Sequence, residues 1–285
     1  MRYHIESFHH RPTGTLSHIL VCAHSKQCAI IDPCYDFDIF SGRIGTDSAD
    51  KLVRYVQGNN LECQWILETH AHADHLTSAQ WIKKQVGGKI AIGEGIQKVQ
   101  LHFREVFGLS DSFPTDGRQF DYLFKDQEEF VLGELSIKVI ATPGHTNDSV
   151  SYQVEDSVFV GDTVFAPHRG SARCDFPGGD AATLYQSIQK IFDIGESTHL
   201  YLCHDYPGEN EPPVICVTVA DQIESNVQIS RYVSLEEYVK KRTQRDSGLA
   251  IPKLLYPSIQ VNINAGHLPE PNNDGRQYLK IPIKF

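Results

Sequence analysis

Residues 69–75 read Thr-His-Ala-His-Ala-Asp-His and hold three imidazoles and one carboxylate within a single short segment. The apolar residues 65–67 directly before it predict a buried strand that ends where the segment begins. Alternate residues of an extended strand share a face, so the side chains of His70 and His72 can converge. A turn into a following helix would bring Asp74 and His75 to the same space. Imidazole and carboxylate ligands together suit zinc, iron or manganese, so the segment predicts a metal site.

Three further ligand-type residues follow apolar runs elsewhere in the chain. His145 comes after Thr-Pro-Gly at the end of residues 136–141, and Asp162 follows Val-Phe-Val-Gly. His204 follows Leu-Tyr-Leu-Cys. One such residue alone is more often a capping group than a ligand, but three of them beside the 69–75 segment predict a shared site at one edge of the strands.

Composition limits the classes of function that fit. The chain has 285 residues, and its 26 basic and 36 acidic residues give a net charge of -10. An acidic surface disfavours nucleic acid as the main partner. The sequence has no run of about 20 apolar residues that would cross a membrane. Its start lacks the basic and apolar blocks of a secretory signal, so we expect a cytoplasmic protein with no membrane partner.

The hydrophobic pattern predicts two packed sheets covered by helices. A hairpin is expected from residues 18–23 and 28–32, and four antiparallel strands between 128 and 161. Further strands are expected at 65–67 and 199–203. Helices are predicted near 48–57, 75–85, 95–107 and 180–192. We expect one domain, with a catalytic core over 1–230 and, over 231–285, a helix from Ser234 to about Arg242 and an extended tail packed on the core.

These motifs together resemble the metallo-β-lactamase superfamily over nearly the whole chain. The resemblance rests on the 69–75 segment, Pro-Gly-His-Thr at 143–146, Gly-Asp-Thr at 161–163 and Cys-His-Asp at 203–205. It implies an α+β fold, a four-layer αββα sandwich of two mixed sheets flanked by helices. It also implies one metal site at His70, His72 and His145, a second at Asp74, His75 and His204, and Asp162 near both.

The segment after Asp162 resembles one branch of this superfamily. Arg173, Asp175 and Phe176 form an Arg-x-Asp-Phe run before a helix that starts near Thr-Leu-Tyr, a pattern similar to that of persulfide dioxygenases, also called sulfur dioxygenases. The insert at 41–48 and the tail at 261–271 look like a bacterial subgroup of β-lactamase-related hydrolases. Fold alone decides little about chemistry within so broad a superfamily.

The resemblance implies an enzyme that oxidises glutathione persulfide with O2 to sulfite and glutathione, in sulfide detoxification. One ferrous ion per chain would be held by His70, His145 and Asp162, since two histidines and one carboxylate leave open coordination positions. His72, Asp74, His75 and His204 would form a second metal site or an outer shell. Arg173 would lie near the glutathione site, and Tyr206 could donate a hydrogen bond to substrate sulfur.

The alternative is a dinuclear zinc thioester hydrolase like glyoxalase II, in which metal-activated hydroxide attacks a thioester. Glyoxalase II has paired basic residues near its C-terminus, for which Arg276 and Lys280 are the nearest candidates here, with a different spacing. Zinc could also substitute for iron in the persulfide dioxygenase site. The sequence leaves open the native metal, the thiol that carries the persulfide, the role of the tail and the number of subunits, with a homodimer among the options.

Overall fold

The computed structural model describes residues 2–283. Its strands are β1 Tyr3–His10, β2 Thr15–Cys22, β3 Gln27–Ile31, β4 Asp36–Asp38, β5 Arg43–Gly45, β6 Glu62–Leu67, β7 Lys89–Gly93, β8 Tyr122–Phe124, β9 Glu129–Leu132, β10 Leu135–Ala141, β11 Val150–Val154, β12 Ser157–Phe159, β13 His199–Tyr201 and β14 Cys216–Thr218. Its helices are α1 Asp47–Gly58, α2 Ala79–Val86, α3 Ile96–Val106, α4 Ala181–Phe192, α5 Val219–Ser225, α6 Leu235–Asp246 and α7 Leu255–Asn262.

Two six-stranded mixed sheets form the centre of the molecule. The first has the order β1-β2-β3-β6-β7-β8, with antiparallel pairing from β1 to β3 and parallel pairing from β3 to β8. The second has the order β14-β13-β12-β11-β10-β9 and is antiparallel except between β12 and β13. A small hairpin of β4 and β5 occupies the predicted insert.

Strand alternation divides the core into layers. In β2, Ile19 packs in a cluster with α1, α2, α3 and α7, whereas its neighbour Leu20 packs between the sheets against Leu132 and Tyr152. On the far side of the second sheet, Val158 and Leu200 pack against α4 and α6. Successive side chains of a strand point to opposite faces, so each sheet carries one helix-facing layer and one sheet-facing layer. The predicted α+β four-layer αββα sandwich is confirmed.

Three local predictions were incomplete or wrong. The helix predicted from residue 75 begins only at Ala79, so residues 69–75 lie wholly in a loop. The tail predicted as extended contains α7, because Leu255, Ile259 and Ile263 bury an apolar stripe in the core layer of the first sheet. Helix α5 was not predicted, nor were the strands β1, β4, β5, β7, β8 and β14. None of the helices between residues 2 and 283 has the length and apolar character needed to span a bilayer.

Candidate metal centre

The loop of residues 68–78 is held in an irregular path by hydrogen bonds from distant segments. Asp32 accepts from the backbone N of Thr69 at 2.7 Å, and Asp148 accepts from the backbone N of Ala71 at 2.7 Å. The side chain of Asn262 in α7 donates to the carbonyls of both His72 and His75 at 2.8 Å. These bonds occupy backbone groups that a helix would pair internally, which explains why α2 starts later than the pattern predicts.

The first ligand cluster consists of His70, His145 and Asp162. Their ligand atoms lie within 4.8 Å of one another, and all three residues are buried. Asp162 Oδ2 lies 3.8 Å from His70 Nε2 and 3.6 Å from His145 Nε2. The three come from the ends of β6 and β12 and from the loop after β10, so the sheet edges bring them together as the sequence predicted.

The second cluster consists of His72, Asp74, His75 and His204, whose ligand atoms also lie within 4.8 Å of one another. His204 Nε2 lies 3.4 Å from Asp74 Oδ2. It also lies 3.4 Å from Oδ1 of Asp162. Asp162 therefore contacts both clusters, one through each carboxylate oxygen.

Several buried atoms of the two clusters have no hydrogen-bond partner among the described residues. They are His70 Nε2, His72 Nδ1, His75 Nε2, His204 Nδ1, His204 Nε2 and Asp162 Oδ1. Buried polar atoms are normally paired, and a group of unpaired lone-pair atoms beside two carboxylates is the environment that a divalent cation satisfies. The donor set therefore fits a metal ion, and nitrogen with oxygen ligands suits iron and zinc alike.

Hydrogen bonds to the opposite ring nitrogens assign the histidine tautomers. His70 Nδ1 lies 3.0 Å from Thr69 Oγ1, whose own proton goes to Asp32, so His70 must donate. His145 Nδ1 donates to the carbonyl of Arg173 at 2.6 Å. Each bond leaves Nε2 of that ring unprotonated and able to bind a cation.

His72 has the opposite tautomer. Its Nε2 donates to Asp32 Oδ1 at 2.9 Å, so its Nδ1 is left without a proton. Asp32 thus orients His72 directly and orients His70 through Thr69. No sequence motif marks Asp32 as part of the site, and only the pairing of β3 with β6 in the structure places it there.

Replacing Asp32 by asparagine should lower the affinity for a divalent cation about 10- to 100-fold, the usual cost of losing a partner that orients a metal-bound imidazole. An amide nitrogen at the Oδ1 position would face the donors Thr69 N and His72 Nε2, and at the Oδ2 position it would face the hydroxyl of Thr69, so one set of donors would lose its acceptor. Competition with a chelator measures the effect. Asp193→Asn, on the exposed end of α4, is the control, and equal affinities in the two variants would contradict the assignment.

Backbone conformation also fixes the site. Gly161, directly before Asp162, has φ 52°, and a Cβ there would lie 2.7 Å from Thr69 Oγ1. Gly144, directly before His145, has φ 131°, and a Cβ would lie 2.3 Å from the backbone N of Leu184. Only glycine combines these φ values with such close approach, so the residues directly before Asp162 and His145 cannot carry a side chain.

The electrostatics of the clusters favour a bound cation. Burial, with repulsion from neighbouring histidines, lowers the pKa of His70 and His72 well below the usual value, so both rings are neutral. Burial raises the pKa of Asp162. For His204 burial acts to lower the pKa, but Asp162 and Asp74 outweigh it and raise the pKa, because two carboxylates next to the ring require positive charge.

A cavity of about 410 Å³ opens onto both clusters. It reaches Asp74, His145, Asp162 and His204 at its base. Its other walls comprise Ala73, Phe165, Arg169, Ser171, Ala172, Arg173, Phe176, Tyr206, Arg242, Arg245, Leu249 and Pro252. Phe176 lies edge-on to His145, with ring centroids 5.1 Å apart, and covers that ligand. The cavity is large enough for a small organic substrate.

The two substrate-binding candidates, Arg173 and Tyr206, both line this cavity. The guanidinium of Arg173 donates two bonds of 2.6 Å to Asp175 and one of 2.8 Å to the carbonyl of Ala250. Tyr206 stacks on His204 at 6.1 Å and is 52% exposed. Partial burial, together with the negative charges of Asp74 and Asp162, raises the pKa of Tyr206, so its hydroxyl stays protonated and can donate into the cavity.

The structure also gives cavity residues that the sequence did not mark. Arg169 and Arg245 line the wall, and between residues 2 and 283 neither forms an ion pair with a carboxylate. Arg276 and Lys280 do not line the cavity. Lys280 instead faces the carbonyls of Phe107 and Gly108 at 3.5 and 3.4 Å. Arg169 lies in the loop before α4 and Arg245 near the end of α6, and neither belongs to a recognisable motif, so only the fold reveals that both face the site.

Comparison with known proteins identifies relatives along the full chain. Glyoxylase B2 of Dictyostelium discoideum is 47% identical over 99% of this chain and 97% of its own length. A beta-lactamase hydrolase-like protein of Agrobacterium fabrum is 42% identical over 98% of this chain, which spans 64% of that relative. The mitochondrial persulfide dioxygenase ETHE1 of Bos taurus is 28% identical over 79% of this chain and 75% of its own length.

Solved structures and a family model give the same fold. The crystal structure of ETHE1 from Myxococcus xanthus superposes with a TM-score of 0.73 at 24% identity, covering 93% of this chain and 100% of that chain. The model of the metallo-beta-lactamase superfamily matches residues 11–204, which contain β2 to β13 and every residue of the two clusters. The two ligand clusters, the sandwich that presents them and this match agree: the chain belongs to the metallo-beta-lactamase superfamily.

Proposed function

We propose that this protein is a glutathione-dependent persulfide dioxygenase with one Fe(II) per chain. The observation that carries the proposal is the cluster of His70, His145 and Asp162 at the base of a cavity walled by Arg173 and Phe176 of the Arg-x-Asp-Phe run. The similarity to persulfide dioxygenases supports it. The reaction would consume glutathione persulfide, O2 and water, and give glutathione, sulfite and two protons.

His70, His145 and Asp162 would hold the ion through His Nε2 atoms and a carboxylate oxygen. Iron held by two imidazoles and one carboxylate keeps open positions and supplies the chemistry of O2 activation. The protein keeps both imidazoles in the required tautomer through Thr69 and the Arg173 carbonyl. Phe176 packs edge-on against His145 and would shield that side of the ion from water. Preset ligands of this kind do not have to reorganise when the ion binds.

The cavity wall would bind the substrate. Glutathione carries two carboxylates, and Arg169 and Arg245 are the cavity arginines with no carboxylate partner of their own among the described residues. Guanidinium groups bind carboxylates through paired, charge-assisted hydrogen bonds. Tyr206, which stays protonated beside His204, would donate a hydrogen bond to the substrate sulfur.

Oxygen uptake tests the proposed activity. Protein loaded anaerobically with ferrous iron should consume O2 with glutathione persulfide and release sulfite in equal amount, but should not consume O2 with glutathione alone. His102→Gln, an exposed histidine on α3, is the control and should retain the rate, whereas His145→Gln should lose it. No uptake by the iron-loaded wild-type protein would refute the activity.

Arg173→Ala should raise the KM for glutathione persulfide several-fold and leave the bound iron unchanged. Its guanidinium fixes Asp175 and the Ala250 carbonyl at the cavity wall, whereas His145 depends only on the backbone carbonyl of residue 173, which alanine retains. Steady-state kinetics with metal analysis on the same sample measures both. A loss of iron equal to that of a ligand variant would show that the Arg173 side chain supports the metal instead.

One observation favours a second candidate, a dinuclear zinc thioester hydrolase. The second cluster is complete and its ligand atoms lie within 4.8 Å of one another. A relative named glyoxylase is 47% identical to this chain. Hydrolysis of a glutathione thioester by the two-zinc protein, with no oxygen uptake by the iron form, would select this reaction over the dioxygenase.

A further inference from the structure

A continuous row of polar contacts leads from the second cluster to the edge of the molecule. His75 Nδ1 lies 3.1 Å from Thr15 Oγ1, and Thr15 Oγ1 lies 2.7 Å from Thr13 Oγ1. Thr13 Oγ1 in turn lies 2.7 Å from His10 Nδ1. His10 Nε2 is buried and lies 3.2 Å from Oδ1 of Asp36, the carboxylate that faces this ring nitrogen.

The row belongs to the strands that flank the cluster. Residues 10–15 form the end of β1, the β1–β2 turn and the start of β2, and Asp36 begins β4. His10 and Thr15 are buried, while Thr13 and Asp36 are half-buried. His75 thus has its own support within the second cluster, separate from the Asp32 network that serves His70 and His72.

The charge states of Asp36 and His10, at the end of the row far from the cluster, determine which group donates in every hydrogen bond of the row. Burial opposes ionisation of Asp36, but bonds from the backbone N and Oγ of Ser48 outweigh it and keep the pKa of Asp36 below the usual value. Burial lowers the pKa of His10, so its ring is neutral. An ionised carboxylate can only accept, so the single ring proton of His10 is on Nε2 and its Nδ1 must accept.

The remaining links follow from the single proton of each hydroxyl. Thr13 must donate to His10 Nδ1, so its oxygen accepts from Thr15. Thr15 has then used its proton and can only accept from His75 Nδ1. Asp74 Oδ1 lies 3.5 Å from the same Nδ1 and is a second acceptor that also favours a proton on this nitrogen.

We propose that Asp36, His10, Thr13 and Thr15 act as a positioning chain that holds His75 in the Nδ1–H tautomer. The chain keeps the lone pair of His75 Nε2 available to a divalent cation in the second cluster. This role goes beyond the proposed dioxygenase activity, because it concerns a cluster that the single iron does not use. It holds for either candidate reaction.

Matched variants of Thr13 test the chain. Thr13→Val keeps the shape and removes the hydroxyl, whereas Thr13→Ser keeps the hydroxyl. The first readout is the tautomer of His75 in the full-length metal-free protein, from the 15N shifts of the ring nitrogens. The second is the affinity for the second equivalent of Co²⁺, from titration. Thermal unfolding checks that each variant is folded, and Thr15→Val with Thr15→Ser repeats the test at the next link.

We expect the wild type and Thr13→Ser to show Nδ1–H on His75. Thr13→Val should show a mixture of tautomers and about tenfold weaker binding of the second Co²⁺, with the first equivalent unchanged. If Thr13→Val matches Thr13→Ser in both readouts, Asp74 alone sets the tautomer and the proposal is wrong. Since neither readout depends on turnover, the result is independent of whether the protein proves to be a dioxygenase.

Discussion

Replacing Asp162 by alanine is expected to abolish metal binding, because its carboxylate faces both clusters. Its Oδ2 faces His70 and His145 at 3.8 and 3.6 Å, and its Oδ1 faces His204 at 3.4 Å. Loss of an outer partner of a metal ligand costs about 10- to 100-fold in affinity, so loss of this shared ligand should exceed 100-fold. Metal analysis after dialysis against a chelator measures the retained ion.

Two controls define what this result means. Asp193→Ala removes an exposed carboxylate at the end of α4 and should retain wild-type metal content. His204→Ala removes a residue of the second cluster only, so the ion held by His70, His145 and Asp162 should remain. If Asp162→Ala keeps its iron while His204→Ala loses it, the ion occupies the second cluster and the proposed ligand set is wrong.

The largest expected effect on stability comes from Arg242 in α6. The residue is 3% exposed and forms an ion pair with Asp246, which is 6% exposed. It also donates to the carbonyl of Ser171 at 3.0 Å and to Gln228 at 2.9 Å. Arg242→Leu should lower the free energy of unfolding by about 3–5 kcal/mol, because Asp246 would remain buried without a counter-charge. Denaturant unfolding measures the change.

The neighbouring residue is a matched control. Lys241 is on the same helix and forms an ion pair with Glu237 at the same four-residue spacing, but both side chains are about half exposed. Lys241→Leu should therefore change the free energy of unfolding by no more than about 0.5 kcal/mol. Equal effects of the two variants would mean that burial of the Arg242 pair is not what stabilises the fold. A double variant of Arg242 and Asp246 to leucine should recover part of the loss.

This ion pair also supports the cavity wall. Asp246 accepts from the backbone N of Cys174, and Arg242 donates to the carbonyl of Ser171, so α6 holds both sides of Arg173 in place. The backbone carbonyl of Arg173 then accepts from His145. Helix α6 is thereby connected to a residue of the first cluster through the backbone of residues 171–174.

The sequence predicted the ligand-type residues because their signal is local. His70 follows a strand of the first sheet, whereas Asp162 and His204 follow the neighbouring strands β12 and β13 of the second, and these strand ends meet at one edge of the sandwich. The alternation that separates Ile19 from Leu20 likewise predicts which face of a strand is buried. The layered fold and the convergence of the ligand-type side chains could therefore be predicted from the sequence.

The supporting residues could not be predicted, because their partners lie far away in the chain. Asp32 contacts Thr69 across 37 positions, and Asn262 reaches His72 across 190. Both look like ordinary polar residues until the fold brings the loop beside them. The late start of α2 has the same origin, since a local helical pattern contains no information about a competing bond from Asn262.

Anaerobic metal analysis of the protein after ferrous loading and dialysis tests whether His70, His145 and Asp162 hold a single iron. We expect about one iron per chain, retained in His204→Ala and lost in His70→Ala, His145→Ala and Asp162→Ala. Two zinc ions per chain, with no iron retained by any form of the protein, would contradict this assignment.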